Sequence, residues 1–149
     1  MPSYRVTATR GTLSPEHKVR LAQAITAAHS DITGADVFFA QVMFHDLESG
    51  DFFLGGTPVE GQQIFVHAFI RARSLELEEK LIARLLANTM ETTGLPSRFI
   101  WVYVSDLPQE LMIEYGHVLP KPGQEAKWKE GFSAVDLEYM QRTEYTRPR

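Results

Sequence analysis

Residues 3–34, SYRVTATRGTLSPEHKVRLAQAITAAHSDITG, return sixty positions later as residues 63–94, QIFVHAFIRARSLELEEKLIARLLANTMETTG. Extended to residues 2–47 against 62–107, the ungapped alignment holds twelve identities. They include Val6/Val66, Ser14/Ser74, Gly34/Gly94 and Asp46/Asp106, where chance supplies about three. The chain is therefore read as two copies of one supersecondary unit followed by a non-repeated tail.

Within each copy the apolar period changes twice. Residues 4–9 and 64–70 alternate or are aromatic-rich, as strands require. Ser14 and Ser74 stand where a helix needs an N-cap, with Pro15 at the first helical position of copy one and Glu16 or Glu76 in the first turn. Val19, Ala22, Ile25 and Leu77, Leu81, Leu85 follow helical spacing. Gly34 and Gly94 then stop the helices ahead of second strands at 38–44 and 99–104. Each unit is βαβ, which makes its two strands parallel. The expected fold is α/β (α+β): two tandem βαβ units forming a four-stranded sheet with both helices on one face, plus a C-terminal arm.

One domain is expected over 1–149, divided into 2–47, 62–107 and the arm 108–149. Pro108, Pro120, Pro122 and Gly123 punctuate the arm. It is read as a lid or subunit-clasping segment with a short helix over 133–143. A helix of about eighteen residues matches a strand of about nine, which returns His29 to the neighbourhood of Pro2. If the first strand runs antiparallel to the third, Pro2, Arg71, Arg73 and Tyr103 gather at one end of the sheet.

Composition removes several classes of function. With 149 residues and 44% apolar content, the chain can bury about two-thirds of its unfolded surface without a staple. It has no cysteine, which excludes disulfides, thiolate zinc sites and cysteine nucleophiles. The amino-terminal residues lack a signal-peptide pattern and no apolar run reaches membrane length, so the expected location is cytoplasmic, with no membrane partner. The net charge of −4 comes from mixed signs, and the terminal Arg147-Pro148-Arg149 is too short for a basic face, so no nucleic-acid partner is expected. His17, His29, His45, His67 and His117 show no metal-ligand spacing. No metal or cofactor is expected. Gly55-Gly56 reads as a turn rather than a phosphate loop, and no Gly-x-Ser-x-Gly elbow occurs.

The remaining chemistry sits on few side chains. Removal of Met1 would leave Pro2 as a secondary amine, an acid–base group whose pKa burial and nearby cations lower toward neutrality. Pro2 aligns with Gln62, so only copy one can present that amine. Arg71 and Arg73 replace Gly11 and Leu13 between a strand end and the Ser74 cap. There they suit a small carboxylate, or alternatively a solvated cluster with Glu76, Glu78 or Glu79. Tyr103 and Glu114 could position and deprotonate water, or serve as a core tyrosine and a surface glutamate.

Taken in order, Met1-Pro2, AITAAH (24–29), FLGG (53–56), IFVH (64–67), IWVY (100–103) and EYG (114–116) resemble the tautomerase superfamily. Leu119-Pro120 and Pro122-Gly123 complete the resemblance, which points in particular to the cis-3-chloroacrylic acid dehalogenase group. It implies cofactor-free homotrimers of double βαβ subunits. It also implies water addition to a small 2,3-unsaturated carboxylic acid, with Pro2 as general acid. His29, Arg71 and Arg73 would hold the carboxylate, while Glu114 and Tyr103, the latter from an adjacent subunit, would activate water. A halogen at the attacked carbon would make the adduct collapse to an aldehyde acid and halide.

One alternative is keto–enol tautomerisation of a 2-keto acid, with Pro2 as general base. Another is a non-catalytic trimer that binds small anions or proteins. Relatives separate their two arginines by two residues, one of them glycine, whereas only Ala72 intervenes here. Arg71 is therefore expected to be the principal carboxylate ligand. Phe65, Phe69, Phe99 and Trp101 alternate along strands and are expected to supply an intersubunit core.

Overall fold

The computed structural model describes residues 2–142; Met1, residue 143 of the expected last helix and Arg147-Pro148-Arg149 lie outside the described residues. The first copy runs β1 (Ser3–Thr9), α1 (Pro15–Thr33) and β2 (Gln41–Leu47). A small hairpin follows, β3 (Phe53–Leu54) and β4 (Thr57–Pro58). The second copy is β5 (Ile64–Arg71), α2 (Leu75–Thr93) and β6 (Ile100–Leu107). The arm carries the hairpin β7 (Ile113–Glu114) and β8 (His117–Val118), then α3 (Glu125–Lys129) and α4 (Ala134–Arg142).

Local chemistry sets these boundaries. Ser14 and Ser74 each accept a hydrogen bond from the third residue beyond, His17 N–H and Leu77 N–H. Gly34 and Gly94 take left-handed φ values of 73° and 72°, and their N–H groups close back on Ser30 and Met90 carbonyls. A side chain at either position would strain the backbone. The second strands start later than expected because 3-10 turns at Val37–Phe39 and Ser97–Phe99 take up the first aromatic residues. Between β3 and β4, Gly55 and Gly56 both have positive φ, as a two-residue hairpin turn demands.

The four long strands form one sheet in the order β2-β1-β5-β6. β1 is parallel to β2, β5 is parallel to β6, and β1 meets β5 antiparallel with Val6 opposite Val66. Since Val66 is the repeat counterpart of Val6, a pseudo-two-fold axis passes through that pair. Alternate residues Tyr4, Val6, Ala8 and Ile64, Val66, Ala68 point to the helices and are fully buried. Helix residues Leu21, Ile25, Leu81 and Leu85 close the core over them. The buried stripe of α1 is thus Leu21, Ile25 and Ala28. Val19, which shares the helical spacing, faces outward at 58% exposure, because periodicity locates a stripe only to within a neighbouring position.

On the opposite face of the sheet, Phe65, Phe69 and His67 are half-buried, and Trp101 and Tyr103 are exposed. Phe99 departs from the expected set: it sits in the 3-10 turn and packs against the main core. The arm builds a second cluster in which Phe39, Met112 and Leu119 are buried and Trp128 and Tyr115 pack around them. No helix among the described residues is long and apolar enough to cross a membrane.

These contacts separate two aliphatic truncations. Leu81→Ala should cost about 2–5 kcal/mol, because it empties a closed core. Val19→Ala should stay within about 0.5 kcal/mol. Urea unfolding of both variants measures the difference, and equal losses would contradict this assignment of helix faces.

Candidate functional site

The antiparallel β1/β5 pair sets Ser3 opposite Phe69. Pro2, one residue before, and Arg71, two residues beyond, therefore leave the sheet at the same end. Pro2 is buried, and its carbonyl accepts the Gln41 N–H at 3.0 Å. His29 in the last turns of α1 is 3% exposed, and its Nδ1 lies 2.7 Å from the Tyr4 hydroxyl. Burial raises the Tyr4 pKa, so the phenol keeps its proton. In the tautomer where it donates to Nδ1, the imidazole proton sits on Nε2. Burial, then the positive amino terminus, Arg73 and Arg71, lower the His29 pKa to about 3. At neutral pH His29 is an uncharged hydrogen-bond donor.

Arg71 ends β5 at 3% exposure. Its Nη1 donates to the Pro120 carbonyl at 2.7 Å and its Nη2 to Glu125 Oε1 at 2.6 Å. Desolvation alone would raise the Glu125 pKa, but the Arg71 hydrogen bond holds it below the usual carboxylate range. Two residues on, the Arg73 backbone N–H donates to Glu78. Burial and the charge of Arg71 lower the Arg73 pKa, with Glu125 opposing them. Both arginines line a cavity of about 390 Å³ together with Asp36, Phe39, Gly123 and Glu125. The Nε atoms of both are buried without a hydrogen-bond partner.

A second cavity, about 700 Å³, is lined by Ser3, Gln41, Met112, Glu114 and Tyr115 and shares Phe39 with the first. Burial raises the Glu114 pKa above the usual range, against the pull of the positive amino terminus and Arg71. A carboxyl held above its usual range by burial is suited to take up a proton. Glu114 sits on β7, and the Tyr115 hydroxyl donates to the Phe38 carbonyl at 2.9 Å, fixing that hairpin to the cavity wall.

The fold thus brings Pro2, His29, Arg71, Arg73 and Glu114 to one end of the sheet. Tyr103 is not among them. It lies opposite His67 in the middle of the β5/β6 pair and is 53% exposed on the face away from the helices. Its ring packs edge-on against Phe65 and beside Trp101. The expectation that it joins the sheet end fails within one subunit because Arg71 pairs with Leu107, four residues past Tyr103. Sequence reasoning missed Tyr4 and Glu125. Tyr4 and His29 align with Ile64 and Thr89, so their coincident departure from the repeat was the available signal. Glu125 lies in the unrepeated arm and had none. Among the described residues no group of acidic and histidine side chains is arranged to hold a metal ion.

Residues 1–131 match the Tautomerase_3 family, described as "Putative oxalocrotonate tautomerase enzyme". Among solved structures, the chain is similar to N1, a member of the cis-3-chloroacrylic acid dehalogenase family. The two share 32% identity over 94% of this chain and 99% of that one, with a TM-score of 0.88. It is also similar to Pt0534 inactivated by 2-oxo-3-pentynoate, with 28% identity, 78% and 94% coverage and a TM-score of 0.71. A fused 4-OT described as a symmetric trimer shares the fold at 21% identity, 78% and 94% coverage and a TM-score of 0.70. No curated protein sequence matches.

The depressed His29 pKa has a signed consequence for stability. Between the unfolded value of about 6.5 and the folded value of about 3, the unfolded chain binds a proton that the native chain does not. Stability contributed by neutral His29 is therefore complete above pH ~6.5 and is lost as pH falls toward ~3. In an NMR titration the His29 ring signals should stay unchanged from pH 8 to about pH 4.5. A midpoint near 6.5 for that ring would refute the buried Tyr4–His29 arrangement.

Proposed function

Because this chain belongs to the tautomerase superfamily, close to its cis-3-chloroacrylic acid dehalogenase family, we propose that it adds water to a small 2,3-unsaturated carboxylic acid. In this reading Met1 is removed and the Pro2 ammonium is the general acid. His29 donates through Nε2 to the substrate carboxylate, which binds beside Arg71 and Arg73. Glu114 takes the proton of the attacking water. Tyr103 orients that water from an adjacent subunit of a homotrimer. The hydroxyl oxygen bonds to C3 while Pro2 delivers a proton to C2. When C3 carries a halogen, the adduct expels halide and leaves an aldehyde acid.

The observation that carries this reading is Glu114: a carboxyl with a burial-raised pKa, in a cavity bounded by Ser3 and Gln41 beside Pro2. Tautomerisation of a 2-keto acid needs proton exchange at Pro2 but no water, and so gives Glu114 no task. The trimer is supported by the open sheet face, where Trp101 is 45% exposed next to Tyr103 and Phe65. Such aromatic surface favours burial between subunits.

Incubation of methionine-processed protein with 3-haloacrylic and acetylenic three-carbon acids should yield the hydration product. Pro2→Ala and Glu114→Gln should each lower kcat about 10²–10⁴-fold. The pH profile should be bell-shaped, its acid limb set by the raised Glu114 and its alkaline limb by loss of the Pro2 proton. Full activity of Glu114→Gln on 2-keto acids, with neither unsaturated acid consumed, would select tautomerisation instead. Sedimentation should show a trimer; a monomer at every concentration rejects the shared site. Intact mass should show Met1 cleaved, since an acylated Pro2 nitrogen has no basicity.

A further inference from the structure

Arg71 does not enter the anion cavity as a free cation. Both of its outer nitrogens are taken by the arm, Nη1 by the Pro120 carbonyl and Nη2 by the Glu125 carboxylate. Arg71 is almost wholly buried, whereas Glu125 is about one-third exposed on its side chain and lines the same cavity. Asp36, on another wall, is paired with Lys129 of α3. Arg73 forms no ion pair among the described residues, and its buried Nε, like that of Arg71, has no hydrogen-bond partner. Among the described residues lining the cavity, Arg73 is thus the guanidinium left without an ion pair.

We propose that Glu125 sets the charge of this cavity by neutralising Arg71, which leaves Arg73 as the anchoring cation and makes the site select monocarboxylates over dicarboxylates. The proposal rests on the reading that this cavity receives the substrate carboxylate. An entering monocarboxylate pairs with the Arg73 guanidinium and balances the single uncompensated charge among the lining residues. Within this cavity a second carboxylate would find no further unpaired cation among the described lining residues and would face Glu125 and Asp36 where screening by water is reduced. Glu125 is thus a positioning and specificity residue: it holds the Arg71 guanidinium in place while cancelling its charge. Arg73, displaced by the single-residue Ala72 spacer, becomes the stronger ligand, contrary to the order expected from spacing alone.

Calorimetric binding of propionate and malonate to the full-length, methionine-processed protein tests this without turnover. Wild type should bind propionate at least about tenfold more tightly than malonate. Glu125→Gln keeps an oxygen that accepts from Nη2 but removes the charge. It should tighten malonate about tenfold or more while changing propionate less than about threefold. Arg73→Ala should weaken propionate at least about tenfold. The proposal is overturned if Glu125→Gln shifts both ligands alike, if Arg73→Ala binds propionate like wild type, or if wild type prefers malonate or binds neither. Should Glu125→Gln fail to fold, the wild-type preference and Arg73→Ala still decide. Normal binding selectivity in a protein that hydrates no unsaturated acid would defeat the hydration reading and leave this one standing.

Discussion

The antiparallel contact between β1 and β5 is the interaction on which everything else rests. Each βαβ unit makes a two-stranded parallel sheet with one helix, too little to close a core. Pairing Val6 with Val66 joins the halves across a pseudo-two-fold axis, and the two helices then pack on each other and on one continuous apolar face. The same pairing decides where chemistry is possible. It produces two related sheet ends, one holding Pro2 and Arg71 and the other Gln62 and Gly11. At the second end a cavity also forms, lined by Thr9, Arg10, Gly11, Glu48 and Gln62. Arg10 there pairs with Glu48 in solvent, and no buried guanidinium or free amine is available. Duplication supplied the geometry twice, and substitution equipped only one copy.

What the first copy and the end of β5 contribute is completed by the arm. Glu114, Pro120 and Glu125 all come from beyond the repeat, and each faces a group that the repeat supplies. The arm is held by burial of Met112 and Leu119 against Phe39, and by the tie from Tyr115 to the Phe38 carbonyl. It thereby forms a wall of both cavities. Within the described residues the arm packs on its own subunit. Phe39 borders both cavities, so the region suited to a carboxylate and the region where Glu114 could act share one aromatic residue.

Electrostatics in this site is organised by desolvation. His29 is kept neutral because an imidazolium buried beside two arginines would be doubly penalised, and Tyr4 satisfies the nitrogen left without a proton. Glu114 is pushed the other way, toward its neutral acid, by the same loss of water. Arg71 tolerates near-complete burial only because the arm delivers a carboxylate and a carbonyl to it. Neighbouring groups are thus driven to different protonation states by one cause, a requirement for acid–base chemistry in a small space.

Much of this was legible in the residues. The sixty-residue repeat, the Ser14 and Ser74 caps and the Gly34 and Gly94 stops are local signals, because capping and left-handed backbone depend on a few neighbouring atoms. Strand and helix type followed from apolar period, and βαβ chirality then restricted the topology. Pro2, Arg71 and Arg73 stood out as places where the copies differ in chemistry, and helix length matched to strand length brought His29 back to Pro2. The tertiary structure alone decided that Val19 faces outward, that Tyr103 lies mid-sheet on the open face, and that Glu125 takes the outer nitrogen of Arg71. Those facts depend on strand register and on contacts between residues more than fifty positions apart. No periodicity carries that information, since a contact across the fold is chosen by the shape and charge of surfaces that exist only once the core has closed.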